Sequence, residues 1–181
     1  MTALTLPAYT NWNWITPRLA VGGEPPLAVY RQLDAFGFEA AIDLRDPVEA
    51  AGTLPSQAIA RLHVPTPDRQ PPSQSDLARA LAFMDHHRTQ DSRMLIHCVH
   101  GIGRSAIVAL AALVIEGLDP LTALTQAKNR RWKISPSPAQ YEAWATWLTV
   151  HRKNAGRDYA IPDFDSFARI AYRHLAHCVA P

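Results

Sequence analysis

Leu95-Ile96-His97-Cys98-Val99-His100-Gly101-Ile102-Gly103-Arg104-Ser105 is the stretch on which the fold turns. A short apolar run ends at a cysteine. An arginine and a serine then open a second, longer apolar run, Ser105 to Glu116, closed by Gly117. The first run has the length of a buried strand and the second that of a buried helix. In α/β proteins the loop between such elements lies at the carboxyl end of the strand, where ligands bind. Gly101 and Gly103 let this loop curl until successive N–H groups face one concavity. The helix N-terminus adds partial positive charge to the same point. Arg104 offers a planar fork for two phosphate oxygens, and the combined field favours a thiolate at Cys98. One loop is therefore expected to hold a nucleophile, Cys98, and a cradle for a dianion formed by Val99, His100, Gly101, Ile102, Gly103 and Arg104. A plainer reading, a buried cysteine at a strand end beside an arginine that caps a helix, leaves both glycines unexplained.

Working outward, Trp12–Ile15 reads as an extended lead-in, Arg18–Val21 as a first strand, Ala40–Leu44 and Ile59–Val64 as further strands, and Arg93–His97 as the strand that carries Cys98. Pro25–Gly37 reads as one helix, with proline at its start, Leu27, Tyr30, Leu33 and Phe36 at helical spacing, and glycine at its end. Pro47–Gly52 suits a helical turn. Pro65 to Pro72 is a loop by composition. Ser73 or Ser75 suits the cap of a helix to about Arg88. After the Cys98 loop the pattern is helical: Ser105–Glu116, Asp119 or Pro120 to Arg131, Ser137 to about His151, and Asp163 to about His177. Strands alternating with helices, followed by a helical cluster, predict a single α/β domain over 1–181. Its central sheet is expected to be mostly parallel, with about four to five strands flanked by helices. Residues 1–24 read as an opening segment and 159–181 as a C-terminal helical extension.

Composition excludes several classes. With 181 residues, 48% hydrophobic and 19% charged, the chain is ordinary globular material. A formal charge of +2 gives no reason to expect nucleic acid. No apolar run reaches the roughly 18 residues of a membrane span, and the N-terminus lacks the pattern of a signal peptide. Two cysteines, Cys98 and Cys178, make neither a disulfide framework nor a zinc site. The expectations are a cytoplasmic, monomeric protein with no metal and no cofactor.

His97, Cys98, Gly101, Arg104 and Ser105 match the HCxxGxxR[ST] signature, and the chain resembles the protein tyrosine and dual-specificity phosphatases from about Trp12 to about Trp147. Asn11-Trp12-Asn13-Trp14-Ile15 with Leu19-Ala20 is similar to the start of the compact archaeal and bacterial members; the tail after Lys153 has no counterpart. The resemblance implies that Cys98 attacks the phosphorus of a phosphomonoester and forms a cysteinyl-phosphate, while Arg104 binds the phosphate. Ser105 is implied to hydrogen-bond the thiolate, although its position equally suits a helix cap. His97 is implied to order the loop.

A general acid must protonate the leaving oxygen. The resemblance points to Asp68, on the proline-rich loop 30 residues before Cys98; Asp46, Asp76 and Asp85 are competitors. Gln140 falls where relatives place a polar side chain near the attacking water, but as plainly reads as an exposed residue in a helical first turn. The basic run Lys128, Arg130, Arg131 and Lys133 reads either as a border of the active-site mouth or as a solvated helix end. The expected substrates are phosphorylated proteins or small phosphomonoesters. Inositol phosphates or phospholipids are the alternative, weakened by the absence of lysine from the loop. Two further readings are a binding module without turnover, which intact Cys98, Arg104 and Asp68 oppose, and a sulfurtransferase, which needs neither Ser105 nor a distal acid.

Overall fold

The computed structural model describes residues 10–52 and 57–175. Its sheet has five strands: β1 (Trp12–Trp14), β2 (Leu19–Gly22), β3 (Ala40–Asp43), β4 (Ala60–His63) and β5 (Met94–His97). They lie in the order β1-β2-β5-β3-β4; only β1 runs antiparallel, to β2. The strand carrying Cys98 is thus central. Its register aligns Gly22, His97 and Asp43 in one row at the carboxyl edge.

Strand residues alternate between two cores, as a period of two requires. Leu19, Val21, Ala40, Ile42, Met94 and Ile96 face the larger core, with the helices α2 (Gln74–Arg88), α3 (Arg104–Ile115), α4 (Pro120–Arg130), α5 (Pro138–Asn154) and α6 (Phe164–Ala171). Ala20, Ala41 and Leu95 face a smaller core with Trp12, Tyr30, Leu33 and Phe38. Residues 104–114 of α3 are all buried and only Ile115 at its end is exposed, so the start of the helix is fixed by packing on every side. Each fully buried Leu or Ile there contributes about 1.5–3 kcal/mol.

The reading of Pro25–Gly37 as one helix is corrected. The segment splits into α1 (Leu27–Tyr30) and a 3-10 turn, Leu33–Phe36, because Gln32 leaves helical geometry at φ −132°. The break lets Tyr30 reach Asp43 while Leu33 stays buried in the smaller core. Gly37 ends the turn at φ +80°, a left-handed position suited to glycine. The last helix is shorter than expected: 172–175 are non-helical, and 176–177 lie outside the described residues, as does Cys178. Ser73, not Ser75, caps α2 by accepting from the Asp76 N–H at 3.0 Å.

Candidate active site

The Cys98 loop leaves the central strand and closes on the first turn of α3. Cys98 is 3% exposed. Its Sγ accepts from the Gly101 N–H at 3.2 Å and lies 3.5 Å from Ser105 Oγ. Gly101 has φ +68°, and a Cβ there would sit 2.3 Å from the carbonyl carbon of Gly22. The curl at this position therefore needs glycine for both conformation and space. The N-cap of α3 is Gly103, without a side-chain cap bond. Of the two positions open to Ser105, the contact with sulfur is the one that forms.

Arg104 is buried and has a crowded set of acceptors. Its Nη1 donates to Glu49 Oε2 at 2.6 Å and to the Thr66 carbonyl at 2.8 Å, and its Nη2 donates to Glu49 Oε1 at 3.1 Å. Burial alone would lower the Arg104 pKa; hydrogen bonds to Glu49 reverse this, and the net direction is up. Glu49 holds the fork from both sides, and sequence reasoning missed it. The signal was present. Asp46 and Glu49 form a reciprocal pair, the Asp46 N–H donating to Glu49 and the Glu49 N–H to Asp46. This D-x-x-E pattern starts a helical turn.

Asp68 is brought to the same point: its Oδ1 is 3.3 Å from Arg104 Nη2, and its side chain is 60% exposed. The competing acids are engaged elsewhere. Asp46 caps the turn that presents Glu49, Asp76 pairs with Arg79 and the Ser73 cap, and Asp85 pairs with Arg88.

His97 is fully buried against the Tyr30 ring, and neither ring nitrogen has a hydrogen-bond partner among the described residues; Asp43 Oδ1 is 3.8 Å away. Burial pushes its imidazole down to about 4. It is thus a neutral wedge beneath the loop. Next to it, Asp43 accepts from Arg45 Nη2 at 2.7 Å and from Arg61 Nη2 at 2.6 Å. Burial would raise the Asp43 carboxyl, but these bonds outweigh it and hold it well below the usual carboxylate range.

Gln140 is not exposed, which corrects the reading of it as an open first-turn residue. It is buried in a capping box with Ser137. Its Nε2 donates to the Gln70 carbonyl at 3.0 Å, and its side chain fills the space beside Gly103. It therefore ties the Asp68 loop to α5 and packs against the cysteine loop. Half of the basic run is likewise inside: Lys128 and Arg131 are buried, while Arg130 is exposed. Val99, His100 and Ile102 are partly or fully exposed. The described residues hold no cluster of His, Cys, Asp or Glu able to bind a metal.

A sulfur and a guanidinium on one loop, with a carboxylic acid facing them, define a cysteine-dependent phosphatase. The sequence profile described as dual specificity phosphatase, catalytic domain, matches residues 21–148, and the chain belongs to that family. Among curated proteins no relative matches it. Solved structures do. Tk-PTP in its active form is 26% identical with a TM-score of 0.66, covering 75% of this chain and 94% of that one. PTPMT1 in complex with PI(5)P is 17% identical with a TM-score of 0.73, covering 81% and 99%. Human DUSP28 is 20% identical with a TM-score of 0.66, covering 82% and 99%. At these identities the last two bear on the fold alone.

Proposed function

We propose that the chain hydrolyses phosphomonoesters of phosphorylated proteins in two steps, with Cys98 as nucleophile, Arg104 as phosphate clamp and Asp68 as general acid, then base. Cys98 Sγ, as thiolate, attacks phosphorus; the P–O bond to the leaving group breaks, and Asp68 gives that oxygen its proton. The product is an alcohol or phenol and a cysteinyl-phosphate. Water then attacks phosphorus, Asp68 takes its proton, and the P–S bond breaks to return the thiolate and release phosphate. Arg104 and the loop amides stabilise the charge on the equatorial oxygens. Ser105, 3.5 Å from the sulfur, suits stabilisation of the departing thiolate.

The observation that carries this reading is the convergence of Cys98, Arg104 and Asp68, with Asp68 3.3 Å from the arginine across a gap of many residues in sequence. PTPMT1 was solved with PI(5)P, but here the loop between Cys98 and Arg104 contains no Lys or Arg. A highly charged inositol headgroup would lack cationic side chains from that loop, which favours a protein phosphomonoester. A free nucleophilic thiol also suits a reducing compartment such as the cytoplasm; among the described residues no helix is long and apolar enough to cross a membrane.

The test is p-nitrophenyl phosphate hydrolysis by wild type, Cys98→Ser and Asp68→Asn, with an alkyl phosphate alongside. Cys98→Ser is expected to fall to background. Asp68→Asn is expected to lose about 100-fold or more on the alkyl ester and less on the aryl ester, whose phenolate leaves without help. Equal losses on both esters would remove Asp68 from the acid role.

A further inference from the structure

The cysteine loop keeps four successive carbonyls turned outward, and each has a donor. The Val99 carbonyl accepts from the Glu24 N–H at 2.9 Å and the Ile102 carbonyl from the Ser135 N–H at 3.0 Å. The two between them share one side chain: the His100 carbonyl accepts from Arg131 Nη2 at 2.9 Å, and the Gly101 carbonyl from Arg131 Nε at 2.8 Å. Two further bonds of Arg131 tie it to the opening segment, Nη1 to Asn13 Oδ1 at 2.9 Å and Nη2 to Asn11 Oδ1 at 3.0 Å. Arg131 is 3% exposed.

A trans peptide unit is planar, so its carbonyl and the following N–H point in opposite directions. No described peptide bond is cis. A carbonyl held outside the loop therefore commits the next amide to the inside. Arg131, by holding the carbonyls of His100 and Gly101, sets the amides of Gly101 and Ile102. The first result is visible: the Gly101 N–H donates to Cys98 Sγ. A cation on the carbonyl oxygen also polarises the peptide unit and makes its N–H a stronger donor. Two of the cradle's donors thus depend on one buried side chain that does not face the substrate.

We propose that Arg131 is a positioning residue for phosphoryl transfer, which turns and polarises two loop amides toward the sulfur and the phosphoryl oxygens. This rests on the assignment of Cys98 and Arg104 above. It also gives a function to a basic run that read as a helix end or a surface border.

The experiment compares full-length wild type with Arg131→Lys and Arg131→Met. The readouts are kcat and KM for p-nitrophenyl phosphate, inhibition by tungstate, and the ratio of Cys98 alkylation rates by iodoacetate and iodoacetamide. Iodoacetate is an anion and reports the field of the cradle; iodoacetamide is neutral and reports access and thiolate population, which cancel in the ratio. In Arg131→Met, kcat is expected to fall about 100-fold, tungstate inhibition to weaken about tenfold, and the preference for iodoacetate to fall. Arg131→Lys, with a compact donor, is expected to lie between the two. Should Arg131→Met not fold, Arg131→Lys provides the measurement, because one ammonium cannot hold both carbonyls in the geometry of the planar fork. Wild-type kcat and alkylation preference in a folded Arg131→Met, or in Arg131→Lys if that is the variant available, would overturn the proposal. Turnover that survives Cys98→Ser would overturn the phosphatase assignment and this role together; turnover that needs Cys98 but ignores Arg131 overturns only the role of Arg131.

Discussion

The two ends of the sheet treat charge in opposite ways. At the carboxyl end, Asp43, Arg45, His97, Arg104 and Arg131 are all buried, and Arg45 and Asp43 have no exposed side-chain surface at all. At the amino end, Arg18 pairs with Asp91 and Arg88 with Asp85 in solvent. Arg18, Asp85 and Arg88 line a groove of about 870 Å³ together with Leu81, Met84, Met94 and Ile115. Burying a charge without full compensation costs several kcal/mol. A fold retains such a cluster where its field or its geometry is needed, and here it lies beneath the cysteine loop. The same residue types at the other end are solvated and contribute little. Buried charge thus gathers at the end that carries the cysteine loop, while the groove at the other end is bordered by solvated pairs.

Three measurements break or sharpen that contrast. The largest effect is expected from Asp43→Asn, which leaves Arg45 and Arg61 without their shared carboxylate. Urea denaturation should report a loss of about 3–5 kcal/mol. A smaller effect follows from His97. The unfolded chain protonates a histidine near the ordinary 6.5, while burial holds the folded imidazole down to about 4. The unfolded state therefore binds more protons in between. Stability is complete above about pH 6.5 and declines as pH falls toward about 4, by about 3 kcal/mol at the limit. His97→Gln should flatten this slope relative to wild type; parallel slopes would assign acid sensitivity to the other histidines. The smallest effect is expected from Arg88→Ala, which breaks an exposed pair and should leave the denaturation midpoint unchanged. A loss there comparable to that of Asp43→Asn would dissolve the contrast.

The strand and helix order was legible because β2, β3 and β5 are short, mostly apolar runs, and because α3 is apolar after Ser105. Cys98 and Arg104 were legible as candidates from local spacing, and Ser105 from the resemblance. Asp68 became legible only through resemblance, since nothing local distinguishes it from Asp46. What sequence could not show were the long-range partners. The break between α1 and the following turn serves a contact between Tyr30 and Asp43. Gln140 reads as a surface residue until α5 folds over Gln70. Lys128 and Arg131 carry the same charge as Arg130, yet tertiary packing buries the first two and leaves the third in water.

The contact between Gly101 and the Gly22-Gly23 pair has a consequence for engineering. A methyl group at Gly101 would meet the Gly22 carbonyl oxygen at 2.4 Å, and one at Gly23 would meet the Val99 oxygen at 2.7 Å. The two backbones touch with no side chain between them, so this seam is specified by absent atoms. A mutational library aimed at altered selectivity should leave these three positions invariant and diversify Val99, His100 and Ile102, which are partly or fully exposed.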